Sequence, residues 1–462
     1  MILNKKNLSL NAVLLINIIF CFFPICFIFG NLITNINFLL FCCLGIFLLR
    51  SKILINKINF PLKIIFLFFL LVLFSTSLNL AESLYSGRYE QSDLSRLIKS
   101  ILFFRFFIIL LIVYFLSELD IINYKYFFLS AAIFPTLISI DIIFQYTFGF
   151  NVIGIKSLAR HNPSFFGDEL ISGGYIQNFS FFSILFLTDL IKKNNNLSKI
   201  ILTTFTICTL AIGIMLSGNR MPFFLFLVGL FLLFFFSKDL KKILLTSCCT
   251  IFIIFGFIIS FDENMRNHYG GFYFGVKDTT VFLTKKIKNN LLFTIQDKEE
   301  FKKEEKWEED PSVTDLEQHP YKKLTLTAFE TWKSNKIFGN GIKSFRVECH
   351  KIVEEQKRGL CSTHPHNYYL EVLIDLGIAG IILAMGIALA FIVFLVKNYK
   401  VLKRENNLQN LFLLAAVISL LLEVFPFRST GSIFTTNNTT YIILMSSIIL
   451  SYKKLLKGKN FE

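Results

Sequence analysis

Long apolar runs alternate with short polar segments along nearly the whole chain. An unbroken run of about 18 or more apolar residues predicts a membrane span, because roughly 20 residues of helix cross the hydrocarbon core. We count twelve such runs, at residues 10–29, 33–50, 63–80, 98–117, 127–148, 173–191, 200–216, 220–237, 243–260, 369–396, 408–426 and 433–452. The pattern therefore predicts an all-α, polytopic integral membrane protein with about twelve transmembrane helices.

The short loops between these runs differ in their basic residues. Every second short loop and the C-terminal tail are rich in lysine and arginine, and by the positive-inside rule both termini face the cytoplasm. The first run follows Lys5 and Lys6 and is too long for a cleaved signal peptide, so we expect a retained signal anchor. The formal net charge of +15 is then mostly a topology signal. We expect membrane lipids as partners and no nucleic acid.

One loop is much longer and more polar than the others. Residues 261–368 fall outside, in a periplasm-like space, and a loop of this length crosses the membrane regardless of its charge. The loop divides the chain into an N-terminal membrane bundle of about nine helices at residues 1–260, the loop itself, and about three C-terminal membrane helices at residues 369–462.

The long loop is expected to be partly helical. It contains the highly charged stretch KKEEKWEEDPSVTDLEQHP at residues 302–320, which is typical of a solvated segment. In the stretch that follows, Tyr321, Leu324, Ala328 and Trp332 recur at helical spacing and predict a helix.

Two of the nine cysteines lie in the long loop. Disulfides persist outside the cytoplasm, so we expect Cys349 and Cys361 to form one. A zinc site built from these two residues with His350 and His364 is an alternative, although only one half has the usual spacing. A pair of free thiols is the third possibility. The other seven lie in or near apolar runs, where cysteine serves as a small apolar filler.

Four segments on the predicted outer side carry polar residues that packing alone does not require. They are RHNPSFFGDELISGGY at residues 160–175, SGNRMPFF at residues 217–224, CSTHPHNYYLEVLIDLGIAG at residues 361–380 and FPFRSTGSIFTTNN at residues 425–438. An arginine at the end of a span is most often a snorkelling anchor. Here three arginines, Arg160, Arg220 and Arg428, and the pair His366–Asn367 all fall at one membrane face, which indicates a functional site.

Two local contacts are also expected. Asn219 directly precedes the eighth run and is a candidate N-cap for it, with Pro222 tolerated in the first turn. Arg105 and Asp141 both fall in the outer halves of apolar runs, where an unpaired charge is costly, so we expect them to pair.

Several arginines and one histidine at an outer membrane surface suit a particular chemistry. Arginine forks match phosphate oxygens and stay charged, so two or three of them can hold a diphosphate and stabilise it as it leaves, without a metal ion. Histidine accepts a hydroxyl proton near neutral pH. Together they favour transfer of a group from a lipid-linked diphosphate to an alcohol. The sequence has no P-loop, dinucleotide glycine pattern, HExxH or DxD-type acidic pair, so a soluble activated donor is not expected.

The stretch from His366 to Gly380 resembles a known motif. It reads His366, Asn367, nine residues, Gly377, two residues and Gly380, which is similar to the signature of the ligase branch of the bacterial O-antigen ligase and O-antigen polymerase superfamily. The segments SGNRMPFFLF, RHNPSFFGDELISGGY and FGNGIKSFRVEC resemble other parts of that superfamily. The number of spans and the long loop before the histidine agree with it too, so the resemblance covers most of the chain.

This resemblance implies a membrane glycosyltransferase in the bacterial inner membrane, with its active site facing the periplasm and no cofactor. A ligase of this kind moves polysaccharide from undecaprenyl diphosphate to lipid A–core, with inversion at the sugar. A polymerase instead extends the lipid-linked glycan. Ligase is the preferred interpretation, and polymerase is the alternative. A secondary transporter or flippase is less favoured, because the halves show no repeat and the polar residues cluster at one face.

The resemblance also implies roles for individual residues. Arg220 is expected to bind the donor diphosphate, and His366 to take the proton from the acceptor hydroxyl. Arg160 and Arg428 are further candidates for the same diphosphate or for core phosphates, and Glu169 for orienting an arginine.

Near the histidine, supporting roles are expected. Asn367 is a candidate to hold the imidazole or a sugar hydroxyl. Gly377 and Gly380 let the tenth span approach a neighbour closely. Glu371 and Asp375 share a helical stripe with Asn367 and either extend the polar lining or mark a span end that is not yet buried.

Overall fold

The computed structural model of the chain describes residues 10–49, 59–87, 89–158, 161–167, 169–191, 196–237, 239–270, 320–356, 359–403 and 407–451. The helices in these ranges, numbered in chain order, are α1 (Leu10–Cys21), α2 (Phe23–Cys26), α3 (Asn31–Leu49), α4 (Phe60–Tyr85), α5 (Gln91–Phe103), α6 (Arg105–Glu118), α7 (Tyr124–Phe148), α8 (Ser172–Leu190), α9 (Asn196–Leu216), α10 (Arg220–Phe236), α11 (Lys241–Phe261), α12 (Pro320–Lys333), α13 (Phe345–Gln356), α14 (Tyr368–Leu402), α15 (Leu408–Glu423) and α16 (Thr436–Leu450). A 3₁₀ turn at Ser164–Phe166 and a helical segment at residues 263–270 also lie among the described residues.

All twelve predicted apolar runs contain α-helix, and the described residues form no strand, so the all-α class is confirmed. Among the described residues, seven helical segments are long and apolar enough to cross a membrane, and three shorter apolar helices accompany them. The protein is therefore a multi-pass membrane protein. The first run is divided between α1 and α2, because Pro24 in the first turn of α2 has no N–H with which to continue the preceding helix.

Helix α8 packs against α7, α9, α10 and α15 and so lies inside the bundle. Phenylalanine rings fill the space around it. The ring of Phe181 lies 5.9 Å from that of Phe226 on α10, and Phe182 lies 5.7 Å from Phe412 on α15. Some of the many phenylalanine side chains in the sequence therefore pack in the core between the helices.

Helix α14 packs against α4 and α12, but most of its length faces outward. Ile382, Met385 and Leu389 are 61–67% exposed. A contiguous apolar face of this kind suits lipid acyl chains and is costly in water.

The path of α14 is interrupted at Gly377. This residue has φ +65° and ψ −161°, a region that essentially only glycine occupies. A Cβ at Gly377 would also collide with the backbone of Ile337 and Gly339. Glycine is therefore required here by both conformation and space.

Residues 336–341 fill the gap that this interruption opens. Four backbone hydrogen bonds of 2.9–3.1 Å join the two segments, from Ile378 to Lys336, from Ala379 to Ile337, from Asn340 to Ile374 and from Gly341 to Asp375. Backbone groups that a regular helix would satisfy internally thus find partners in residues 336–341, as buried backbone groups require.

The helix predicted from the spacing of Tyr321 and Trp332 is confirmed as α12. Leu324 and Ala328 are buried in a small apolar cluster that also contains Ile374 of α14. This packing places α12 on the N-terminal part of α14. Most of the charged stretch at residues 302–320 lies outside the described residues.

Glu371 and Asp375 are buried anchors, with exposures of 3% and 0%. The Asp375 carboxylate accepts bonds from the backbone N–H groups of Lys343 and Ser344, at 2.6 and 3.1 Å, and from the Ser344 hydroxyl at 2.7 Å. Glu371 accepts the backbone N–H of Ile433 at 2.8 Å. Neither forms the open polar lining that the stripe suggested, because each is taken up by backbone donors of a neighbouring segment.

The expected ion pair between Arg105 and Asp141 is wrong. Arg105 donates to the Thr436 hydroxyl at 3.1 Å. Asp141 accepts bonds from the hydroxyl of Ser164 and from the backbone of Val152. Loop donors, rather than a charge on another span, therefore satisfy the buried carboxylate.

Candidate functional site

His366 lies in the turn that leads into α14, with φ +55°, an uncommon conformation for a non-glycine residue. Its carbonyl accepts the backbone N–H of Thr430 at 3.0 Å. The ring centroid of His366 lies 4.2 Å from that of His364 and 6.2 Å from that of Tyr321. The imidazole is therefore surrounded by other rings, in a turn that is fixed to the loop between α15 and α16.

The role of Asn367 accounts for the position of the pair His366–Asn367 directly before the N-terminus of α14. It is the N-cap of α14, and its Oδ1 accepts the backbone N–H groups of Tyr369 and Leu370 at 2.9 and 3.2 Å. Its Nδ2 donates to the carbonyl of Pro426 at 2.7 Å. The side chain thus holds the turn that carries His366 through backbone groups.

Burial acts on both histidines in this turn. It lowers the pKa of His366 below the ordinary value of 6.5. Burial lowers the pKa of His364 to about 4, with smaller contributions from repulsion between the two imidazoles when both are protonated and from the Arg346 guanidinium. Both rings are therefore neutral near pH 7, and His366 is able to accept a proton there.

The loop between α15 and α16 carries Arg428, which is 8% exposed. Its guanidinium lies 2.8 Å from the Glu423 carboxylate and donates to Gln177 of α8 at 3.0 Å. The other carboxylate oxygen of Glu423 accepts the hydroxyl of Tyr368, the first residue of α14, at 2.6 Å. Arg428 is thus part of a buried polar network that joins three helices.

Arg220 is the first residue of α10 and is partly buried. Its Nε and Nη2 atoms lie 3.2 Å from the ring nitrogens of His268, which is 6% exposed on the helical segment at residues 263–270. The sequence reasoning missed His268. It stands 48 residues from Arg220, and no spacing or motif marks it.

Asn219 occupies the N-cap position of α10, but its side chain does not cap that helix. Its Oδ1 accepts the backbone N–H of Gly173 at 3.0 Å, and its Nδ2 donates to the carbonyl of Leu170 at 2.9 Å. Gly173 lies in the first turn of α8, where N–H groups have no helical partner. Asn219 therefore caps α8 instead.

This cap brings the two arginines to the same end of α8. Asn219, next to Arg220, is bonded to Gly173, and Arg428 is bonded to Gln177. These two α8 residues are four apart, so the contacts are about one helical turn, or roughly 5–6 Å, apart along the axis. Arg428 and His366 belong to segments that are themselves bonded together, so the structure gathers His366, Arg220 and Arg428 around one end of the bundle.

The remaining predicted residues are distributed around this end. Arg160 lies outside the described residues, and Glu169 is exposed in the loop before α8. Beside Gly380, a Cβ would press on Leu376 and Val372 of the same helix, so its close contacts are made within α14 rather than with another span.

Cys349 and Cys361 are joined by a disulfide. Their sulfur atoms and a ring nitrogen of His350 lie within 4.8 Å of one another, which is the closest arrangement to the zinc alternative. With the two sulfurs bonded to each other, they are not thiolate ligands for zinc, and only His350 of this group retains a ligand atom.

An apolar groove of about 450 Å³ runs between α9 and α11, past Phe205, Cys208 and Thr250. Ile212 and Ile254 also line a separate cavity of about 10 Å³ that reaches Phe223, in the first turn of α10. The groove therefore ends on the side of the bundle that faces the turn carrying Arg220.

Residues 205–385 match a family model described as O-antigen ligase. The match includes Arg220, His366, Gly377 and Gly380, and it confirms the resemblance drawn from the motif. No curated protein matches the chain.

Proposed function

We propose that this chain, whose residues 205–385 match a family model described as O-antigen ligase, is an O-antigen ligase. In this proposal it moves polysaccharide from undecaprenyl diphosphate to lipid A–core at the periplasmic face of a bacterial inner membrane. One observation carries the proposal furthest: a neutral histidine and two partly or fully buried arginines lie at one end of the bundle, and an apolar groove lies along the bundle between α9 and α11.

The reaction needs a base, and His366 suits that role. Its ring takes the proton of the acceptor hydroxyl as the hydroxyl oxygen attacks the anomeric carbon of the donor sugar. The bond from this carbon to the diphosphate oxygen breaks as the new bond forms, so the sugar is inverted. The proton ends on His366 and the electron pair leaves with undecaprenyl diphosphate.

The leaving diphosphate gains negative charge, and Arg220 is the group proposed to stabilise it. A guanidinium offers two parallel donors to phosphate oxygens and remains charged at any relevant pH. Arg160 is proposed as a second ligand. Arg428 is paired with the Glu423 carboxylate, so its proposed role is mainly to fix that loop beside His366.

The groove between α9 and α11 supports a lipid-linked donor. Its walls are almost entirely apolar, and two of its lining residues, Ile212 and Ile254, also line the small cavity at the first turn of α10. A polyprenyl chain that enters from the membrane along this groove would bring its diphosphate to Arg220. Burial of apolar chain carbon is favourable at about 0.8 kcal/mol per CH₂, so the groove contributes affinity as well as direction.

The periplasmic location is tested by topology reporters. Fusion after residue 320 is expected to give a reporter that is active only in the periplasm, and fusion after residue 240 one that is active only in the cytoplasm. The reverse pattern would put the site on the wrong side of the membrane for this function.

The function is tested with purified protein in nanodiscs that contain undecaprenyl-diphosphate-linked glycan. Lipid A–core is supplied as acceptor in one reaction, and only additional lipid-linked glycan in the other. The proposal predicts glycan on lipid A–core in the first reaction, also in EDTA, and no elongation in the second. Elongation alone would identify a polymerase, and no transfer in either reaction would overturn the proposal.

A further inference from the structure

The partner of Arg220 is an imidazole, whereas a buried arginine usually pairs with a carboxylate. Arg428 is paired with a carboxylate, whereas the neighbour of Arg220 is an imidazole. His268 is held firmly in place. The next residue, Tyr269, donates its hydroxyl to the carbonyl of Met215 at 3.0 Å, which ties this segment to the end of α9.

The hydrogen-bond geometry identifies the protonation state of His268. Its Nε2 lies 2.9 Å from the carbonyl of Gly218, which can only accept, and 3.2 Å from Nε of Arg220. The guanidinium of Arg220 can only donate, so one of the two ring nitrogens, each 3.2 Å from a guanidinium nitrogen, must provide a lone pair. With hydrogen on Nε2 the ring donates to Gly218 and accepts from Nη2 at Nδ1, and with hydrogen on Nδ1 it accepts from Nε at Nε2. The ring is neutral in either form, because an imidazolium has no lone pair for the guanidinium.

A neutral partner has a consequence for the charge of Arg220. A carboxylate in this position would neutralise the guanidinium and compete with an incoming phosphate for it. The imidazole fixes the direction of the guanidinium and leaves its full positive charge for a ligand. Preorganisation of this kind favours binding, since less side-chain entropy is lost when the ligand arrives.

We propose that His268 is the positioning residue for Arg220: it relays the fixed backbone of Gly218 through its ring to the guanidinium, and so orients Arg220 toward the donor diphosphate. This inference rests on the proposed function. It assigns to His268 no contact with the substrate and no proton transfer.

The test compares donor binding and turnover for variants that keep or remove the acceptor nitrogen. His268→Phe retains a ring but has no acceptor, whereas His268→Gln retains both an acceptor and a donor. His350→Phe, at an exposed histidine of α13, is the matched control. The probe for binding is undecaprenyl diphosphate in nanodiscs, and KM for donor and kcat are measured in the transfer assay.

Loss of a hydrogen bond to a charged group corresponds to about a 10- to 100-fold change in affinity. We expect His268→Phe to raise the Kd and KM for donor by about this factor with a smaller effect on kcat, His268→Gln to restore most of the binding, and His350→Phe to leave it unchanged. Equal losses of donor binding in His268→Phe and His268→Gln would overturn the inference, because they would show that the hydrogen-bond acceptor, which only His268→Gln keeps, does not matter. His268→Leu serves the same comparison if the phenylalanine variant does not fold.

Coupling with Arg220 separates this inference from the proposed function. His268→Phe is expected to add nothing to the loss of binding caused by Arg220→Gln, because His268 acts through Arg220. Additive losses would contradict the positioning role. Normal donor binding by Arg220→Gln would instead refute the proposed function, whereas loss in Arg220→Gln with normal binding in His268→Phe would refute only the role of His268.

Discussion

Replacement of Gly377 by alanine tests the interrupted helix α14. The residue has φ +65° and ψ −161°, and a non-glycine residue in that region costs about 1–3 kcal/mol. The new Cβ would also displace the backbone of residues 336–341, which makes four hydrogen bonds to α14. At about 1 kcal/mol for each bond, loss of two to four of them adds about 2–4 kcal/mol. The expected destabilisation is therefore about 3–7 kcal/mol.

The matched control is Gly386→Ala, in the same helix. A Cβ at Gly386 would meet only the side chain of Ile64 at 3.8 Å, an ordinary contact. Alanine is also the better helix former by about 1 kcal/mol. Thermal unfolding in detergent, followed by loss of monodisperse protein on size exclusion, is expected to show a clearly lower Tm for Gly377→Ala and an unchanged or slightly higher Tm for Gly386→Ala. Equal Tm values for wild type and Gly377→Ala would refute the interruption and its packing.

Three further predictions concern the surroundings of the site. Replacing both Cys349 and Cys361 by alanine removes a disulfide between residues that are 12 apart in the sequence. This should lower the free energy of unfolding by about 3 kcal/mol, measured as a lower Tm. In a variant that keeps only these two cysteines, reaction with a thiol label before any reductant is added would contradict the disulfide. Glu423→Ala leaves the buried guanidinium of Arg428 without its carboxylate partner and should lower the free energy of unfolding by about 3–5 kcal/mol. The double variant Glu423→Ala with Arg428→Met should recover part of this stability. A double variant no more stable than Glu423→Ala alone would refute the pairing. Burial lowers the pKa of His366 below 6.5, so the ring is mostly neutral at pH 6.5 and able to act as a base. We therefore expect kcat/KM to fall only when the pH drops below 6.5. An acid limb of the pH profile centred above about pH 7 would refute the assignment of His366 as the base.

Most of the helices could be predicted from local sequence, because a membrane span is recognised by the length of its apolar run. The interruption of α14 does not. The residues around Gly377 form an apolar stretch that is compatible with a continuous helix, and the partners that replace the missing helical bonds lie at residues 336–341. Only the folded chain brings the two segments together.

The site shows the same division. The position of His366 before a helix could be predicted from its motif, whereas the contact of Arg220 with His268 depends on tertiary structure. The predicted pairing of Arg105 with Asp141 failed for a related reason. The cost of a charge in a span requires a partner but does not specify which one, and Asp141 is satisfied by loop donors such as the hydroxyl of Ser164.

The central claim is that Arg220 grips the donor diphosphate and His366 accepts the acceptor proton. The most direct measurement follows donor binding and glycan transfer in parallel for His366→Ala and Arg220→Gln, at equal protein levels and with EDTA present. The account predicts that His366→Ala lowers transfer by about 10²–10⁴-fold with donor affinity retained, and that Arg220→Gln loses both. Near-normal transfer to lipid A–core by both variants would contradict it.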